Sequence, residues 1–331
     1  MTTSLVEIYG LRIAAPLALP GRAVRDGSAP ADVTFHLQAS PSAADRWGAR
    51  AERTLYRSAT MLHGEPALLA DRPGAEGWIR LRYAEGICFH LSPRGEEVWA
   101  DWRAPLTEAD AIAFFLGPVL GAVLRRRGIA ALHASAVVLA GEAYLFLGSR
   151  GSGKSTLAAA FARSGYPVLS EDVAALCHDA GVWSVEPAYT DVRLWDEGAE
   201  LVAEDAEALP ALTPTWPKRR LDLAARGWAL AAERAPLGGI FVLEDFAAPG
   251  VAVDVRAISA RDCLVELVAN SYVNYLAEAT ELARELALFG QVAPLVRAWS
   301  LRPAHGLEGV RQTVQEVVRL AEASAAGAGE G

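Results

Sequence analysis

The sequence predicts a mixed α/β fold preceded by a small β-rich domain, and three observations carry that expectation. An apolar run, Tyr144-Leu145-Phe146-Leu147, ends in a glycine-rich stretch at 148–156 and opens into an alanine-rich helical pattern. That is the strand, loop and helix order of a phosphate-binding loop. Strand-like runs at 132–139 and 143–147, and again at 174–177 and 182–185, are separated by short turns and alternate with helical patterns, which argues against a purely parallel sheet. Short alternating apolar runs fill residues 5–101, the pattern of half-buried strands.

The totals bound the class. A chain of 331 residues, 52% apolar and 21% charged, has room for two domains and a sizeable core. The net charge of −9 argues against nucleic acid as the main partner, while leaving room for a local basic pocket that takes a nucleotide. Cys88, Cys177 and Cys263 are odd in number and far apart, which fits reduced thiols in a cytoplasmic protein. The start of the chain lacks a basic segment followed by an apolar core, so no signal peptide is expected. Residues 111–124 are the most apolar stretch, yet they include Gly117 and Pro118 and fall short of the roughly 20 residues that span a bilayer. They read as a buried helix, and no membrane partner is expected.

Taken in order, residues 1–105 form the β-rich domain. Its strands show as Val33, Phe35, Leu37, then Ile79, Leu81, Tyr83, then Ile87, Phe89, Leu91 after the turn Ala84-Glu85-Gly86. Pro16, Gly21, Asp26-Gly27, Pro41, Pro73-Gly74 and Pro93 supply the breaks. His36, His63 and His90 stand singly and read as structural or surface residues. A connecting helix at 106–128 starts at Thr107, with Glu108 and Asp110 in its first turn, is kinked by Pro118, and ends in Arg125-Arg126-Arg127 before Gly128. Residues 129–323 form the phosphate-loop domain, and 324–331 a disordered tail.

Within the loop, Gly148, Gly151 and Gly153 permit backbone angles closed to other residues and let amides close on phosphate oxygens. Ser149, Arg150, Ser152 and Thr156 complete the anion cradle, helped by the free N–H groups of the helix that begins near Lys154. Lys154 is expected to reach the outer phosphates of ATP, and the Ser155 hydroxyl to hold Mg²⁺. Only Lys154 and Lys218 among 31 basic residues are lysine, so an ammonium at this position is not a generic positive charge. The next strand delivers Glu171-Asp172, two carboxylates of which one can hold the metal and the other take a proton from an incoming hydroxyl. Further on, Trp216-Pro217-Lys218-Arg219-Arg220 reads as a loop whose Lys218 and Arg219 clamp a triphosphate, with Arg193 a weaker candidate for the same task. Residues 197–209 read as an acidic surface helix. Ser259 caps a single long helix reaching past Leu286, and a last amphipathic helix spans 307–323.

Together Leu132-His133-Ala134-Ser135-Ala136, residues 148–156 and Leu169-Ser170-Glu171-Asp172-Val173 resemble the HPr kinase/phosphatase family. The narrower likeness is to its diverged relatives encoded with ribosomal peptides such as lasso peptides. The resemblance implies an HPr-kinase/PEP-carboxykinase-like phosphate-loop domain, the cofactors ATP and Mg²⁺, and transfer to a serine of a peptide or small protein. It also implies a homo-oligomer. By the same resemblance Glu171 is the base, His133 stands beside it, and Ser155 and Asp172 hold the metal, with Asp172 the competitor for the base because the family usually has aspartate at the first position. The glycine-rich segment that the regulatory kinase uses for dephosphorylation has no counterpart at 186–217, where Pro187-Ala188-Tyr189-Thr190-Asp191-Val192-Arg193-Leu194-Trp195 stands instead.

Three other readings stay open on the residues alone. Leu237 to Leu243 as a buried strand followed by Glu244-Asp245 imitates an ATPase that activates water. A nucleotide-sensing module without turnover and a kinase of a small metabolite use the same loop.

Overall fold

In the computed structural model, the residues described are 4–24, 29–37, 51–73, 77–189 and 191–328. The expected turn at Asp26-Gly27 and the breaks at Pro41 and Gly74 lie outside them, as do Thr190 and the last three residues of the expected tail. The chain divides into two compact units, one of Met1–Ile129, Leu212–Trp216 and Val273–Glu281, the other of Ala130–Ala211, Pro217–Tyr272 and Leu282–Gly331. Two later pieces of chain therefore belong to the first unit, which no local pattern announces.

The first unit holds a sheet whose strands run in the order Arg22–Ala23, Ser4–Ile8, Leu11–Ala15, Val33–Leu37, Glu97–Trp102, Ile87–Leu91, Ile79–Tyr83, Leu68–Pro73, Ala51–Arg57. Alternation puts Ile8, Ile13, Val33, Phe35, Leu81 and Phe89 inside. The helix that follows is capped as expected, the Thr107 amide donating to Asp110 Oδ2 at 2.8 Å. It is split into Glu108–Phe114 and Leu120–Arg126 by an irregular turn in which Gly117 has ψ −111°. Pro118 has no N–H to continue the ladder, which accounts for the break. Phe115, at the break, stacks on Phe35 with ring centres 4.0 Å apart. His36 stacks on Trp99, and burial lowers His90 to about 4. Among the described residues no group of three or more His, Cys, Asp or Glu could hold a metal.

The second unit contains β1 (Ala131–Leu132), β2 (Ala134–Leu139), β3 (Glu142–Leu147), α1 (Lys154–Arg163), β4 (Val168–Ser170), β5 (Ala174–Asp179), β6 (Val182–Glu186), β7 (Asp191–Leu194), α2 (Asp196–Val202), β8 (Trp216–Asp222) from Pro217 on, β9 (Ala235–Leu243), β10 (Asp254–Ala257), α3 (Ala260–Ala269), α4 (Ala279–Val292) from Leu282 on, β11 (Arg297–Arg302) and α5 (Gly306–Ala328). Its main sheet runs β1-β5-β6-β9-β3-β2-β4, with β11 beside β9 and β10 beside β11. β9 pairs in parallel with β3 and β11, while the hairpin partners are antiparallel, so the sheet is mixed. Its centre is buried on both faces. Tyr144 and Phe146 point toward α1, α2 and α5, whereas Leu145 and Leu147 point toward the core shared with Cys263, Leu267, Phe289 and Val292. That two-sided burial is why 144–147 reads as a continuous apolar run rather than an alternation. Phe146, Phe241 and Trp299 sit opposite one another on neighbouring strands, stacked at 5.5 and 4.8 Å.

Several expectations are corrected. The stretch expected as a loop at 216–221 is strand β8, paired antiparallel with β7; Pro217 sits near its start, where the missing N–H is tolerated. The long helix capped by Ser259 is two helices. Its cap is present, Ser259 Oγ accepting from the Asp262 amide at 3.1 Å, but α3 ends at Asn270, and Val273 takes a left-handed φ of 47°. The acidic surface helix is the short α2 followed by a single turn, Ala206–Ala208. The last helix continues to Ala328, past the expected start of the disordered tail. No helix among the described residues is long and apolar enough to cross a membrane.

Candidate functional site

The loop between β3 and α1 is shaped by its glycines. Gly148, Gly151 and Gly153 have φ of 150°, 88° and 93°. A Cβ at Gly148 would stand 2.8 Å from Ser152 Oγ and 3.1 Å from the Leu243 carbonyl, and one at Gly153 would stand 2.8 Å from the Phe246 ring. A side chain at either position would force neighbouring atoms to shift, on top of a left-handed φ, so both positions favour glycine. Gly148 N donates to Asn270 Oδ1 at 3.3 Å. Lys154 Nζ donates to the carbonyls of Gly148 and Ser149 at 2.7 and 2.9 Å. Burial pushes the Lys154 ammonium below its ordinary value, opposed by Asp172 and Glu171.

β4 ends at Ser170 and brings Glu171 and Asp172 to the start of α1. The Ser155 hydroxyl donates to Glu171 Oε1. Asp172 Oδ1 lies 3.4 Å from His133 Nε2, and its Oδ2 accepts from the Tyr272 hydroxyl at 3.2 Å. His133 occupies the gap between β1 and β2, where the chain leaves one strand partner for another. Its amide donates to the Asn270 carbonyl at 2.8 Å, and the Tyr272 amide to Ala131 O at 2.8 Å. That short ladder sets the Tyr272 ring 5.9 Å from the imidazole. The expectation that His133 stands beside Glu171 is thus corrected: its carboxylate is Asp172, because consecutive residues leaving a strand point to opposite sides.

The two acids differ in environment. Glu171 is 4% exposed; burial, then the neighbouring Asp172 charge, raises it to about 7. Burial works in the same direction on Asp172, but the contact with His133, together with Arg193 and Lys218, holds it well below the usual carboxylate range. Burial opposes the charge on Arg193, yet Tyr189, Asp172 and Glu171 keep it protonated.

His133, Arg150, Gly151, Gly153 and Lys154 line one cavity of about 210 Å³, and Ser155, Thr156, Asp172, Arg193 and Lys218 share it. Glu171 lies beneath Ser155. Gly148, Ser149 and Ser152 shape the loop without lining the cavity. Arg219 is not brought in. Next to Lys218 on β8 it faces the other side of the strand, where it pairs with Asp196 at 2.8 Å and donates to the Leu209 carbonyl. Its expected role as a nucleotide contact is corrected. Glu244 accepts from Ser300 and Arg302 at 2.5 and 2.6 Å and, with Asp245, is outside the cavity lining.

The residues present fit an anion with a divalent cation. Ser152 Oγ and Glu171 Oε2 are buried without a hydrogen-bond partner among the described residues, which is costly in a finished core. An oxygen-donor pair of Ser155 and a carboxylate is the sparse set that Mg²⁺ accepts when phosphates and water complete its shell. Two participants carry no signal in the local sequence. Asn270 and Tyr272 reach the site from 122 and 100 residues away in the chain.

No family model matches the chain, and no curated protein matches it. Among solved structures it is similar to the Hpr(Ser) kinase/phosphatase from Coxiella burnetii, with 14% identity and a TM-score of 0.25, over 39% of this chain and 70% of that one. A likeness of that size decides nothing about this chain, whose site stands on its own geometry.

Proposed function

We propose that this protein is a phosphotransferase of the kinase type, moving the terminal phosphoryl group of ATP to a hydroxyl, with a serine of a peptide or small protein as acceptor. One observation carries the reading: the glycine-rich loop and the Glu171-Asp172 pair, from separate elements, meet at Ser155 and Lys154. Bound Mg·ATP supplies the activated phosphoryl group and a cation that offsets its charge.

The chain's own residues do the rest by position and charge. Loop amides and the N-terminus of α1 bind the phosphates, and Lys154 exchanges its two carbonyl partners for phosphate oxygens. Ser155 directs its proton to Glu171, leaving its oxygen lone pairs for the metal, and Glu171 fixes that orientation. Asp172, held by His133 and Tyr272, accepts the proton of the incoming hydroxyl. Relative to the sequence expectation the two acids exchange roles, because His133 meets Asp172. The elevated value of Glu171, near neutral pH, favours the reverse assignment as a second reading, since an effective base titrates close to the working pH. Glu171→Gln and Asp172→Asn separate them. Loss of metal affinity in the first variant and of turnover alone in the second supports the exchanged roles, and the opposite pattern supports the original ones.

The serine acceptor comes from the family resemblance of 132–136, 148–156 and 169–173. A water-activating ATPase is disfavoured because Glu244 is already held by Ser300 and Arg302. The test is to offer the purified protein Mg·ATP with candidate peptides and with small hydroxyl metabolites, and to read added phosphate by mass. Phosphate on a serine-containing peptide supports the reading. Rapid ATP hydrolysis without an acceptor contradicts it.

A further inference from the structure

The cavity lining carries two cations that form no ion pair. Arg150, on the glycine-rich loop, and Lys218, on β8, have their charged groups 5.9 and 5.2 Å from the centre of the Trp195 ring. All three residues line the cavity with Lys154 and Ser155. Among the described residues neither cation has a hydrogen bond or a contact ion pair, Lys218 feeling the Asp172 and Glu171 charges only at longer range, whereas Arg163, Arg219, Arg220 and Arg226 of the same unit pair with Glu204, Asp196, Asp191 and Asp205. Glu197 lines the same cavity and pairs with neither. In a chain of net charge −9, two cations that line one cavity, sit against one ring and form no ion pair mark a place where negative charge arrives from outside.

The tether explains how they remain without an ion pair. A carboxylate partner would fix the cations and then compete with an incoming anion. An aromatic face attracts them through its quadrupole without cancelling their charge, so they are held near the cavity at little later cost. In the proposed nucleotide site Lys154 and the loop amides take phosphate oxygens, and Arg150 and Lys218 add further positive charge for the terminal phosphate.

We propose that Arg150 and Lys218, positioned by Trp195, read the terminal phosphate of the bound nucleotide, so that the site holds triphosphate in preference to diphosphate. This rests on the loop being the nucleotide site. It adds a discrimination that binding by Lys154 and the loop amides does not require, and it makes Trp195 a positioning residue.

The test is calorimetric titration with Mg·ATP, Mg·ADP, inorganic tripolyphosphate and pyrophosphate, with no acceptor present. The wild type is expected to bind ATP over ADP, and tripolyphosphate over pyrophosphate, by at least roughly tenfold, the scale of one charge-assisted hydrogen bond. Lys218→Ala and Arg150→Ala each lower ATP affinity about tenfold and leave ADP unchanged. Trp195→Leu lowers the same ratio, while Trp195→Phe keeps most of it because a cation-binding face remains. Equal loss for ATP and ADP in the two cation variants, or no loss in either, overturns the proposal while leaving the nucleotide site intact. If the wild type binds neither nucleotide, the proposal and the reading it rests on fail together.

Discussion

Replacing Glu171 with Gln should make the protein more stable at alkaline pH while removing its function, and the size follows from the site. Glu171 is buried at 4% exposure, and burial with the adjacent Asp172 lifts its carboxyl from 4.5 to about 7. A raised value means that the folded chain holds the proton more tightly than the unfolded chain. The contribution of Glu171 to stability is therefore full below about pH 4.5, falls as the pH rises toward 7, and levels off above it. At about 1.4 kcal/mol for each pH unit between the two values, the ionised carboxylate costs about 3 kcal/mol at pH 8. Gln keeps an oxygen to accept the Ser155 hydroxyl and cannot ionise. Glu171→Gln should then exceed the wild type by about 3 kcal/mol at pH 8 and lie within about 0.5 kcal/mol of it at pH 4.5. Urea denaturation followed by circular dichroism, at several pH values without nucleotide or magnesium, measures this. A gap that does not widen with pH, or a wild type that is the more stable at pH 8, would refute the account of the buried pair.

Other expectations follow from the same geometry. Magnesium must meet an ionised Glu171, so metal-dependent nucleotide affinity in the wild type should rise about tenfold from pH 6 to pH 8 and stay flat in Glu171→Gln; calorimetry in matched buffers reads it, and an equal rise in both would assign the titration to another group. His133→Ala should lower turnover on an identified acceptor by roughly ten- to hundredfold with little change in ATP affinity, and a loss confined to ATP affinity would remove His133 from the proton path. Gly153→Val combines a φ of 93° with a side chain started 2.8 Å from the Phe246 ring; it should cost about 2–3 kcal/mol of stability and abolish nucleotide binding, seen as a lower melting temperature that ATP no longer raises.

Much of the site is legible because its parts are local. The spacing from Gly148 to Ser155 needs only a strand before it and a helix after it, and the continuous run 144–147 announces a strand covered on both faces. Glu171 and Asp172 are legible as strand-end acids, but which of them meets His133 depends on the direction each side chain takes as β4 ends. The cluster at 216–220 misleads for a related reason. Pro217 suggests a loop, yet the segment pairs with β7, and alternation along the strand then sends Lys218 into the cavity while Arg219 goes to Asp196. Apolar spacing through Leu264, Leu267, Tyr275 and Leu276 continues across two helices, since a 3₁₀ turn at Asn274–Leu276 keeps a similar period. Asn270 and Tyr272 are invisible in the sequence because they become site residues only when the end of α3 pairs beside β1. The cation pair on Trp195 joins three separate segments and is likewise a property of the fold.

The proposed function requires loop and carboxylates to meet around one metal–nucleotide complex. A crystal structure with Mn²⁺ and a non-hydrolysable ATP analogue tests it most directly, because the anomalous signal of manganese locates the metal independently of the surrounding atoms. A peak is expected at about 2.0–2.3 Å from Ser155 Oγ, with Glu171 beside it, phosphate oxygens on Lys154, and Asp172 facing the outer phosphate. A nucleotide bound elsewhere, or a metal held by Glu244 and Asp245 instead, would contradict it.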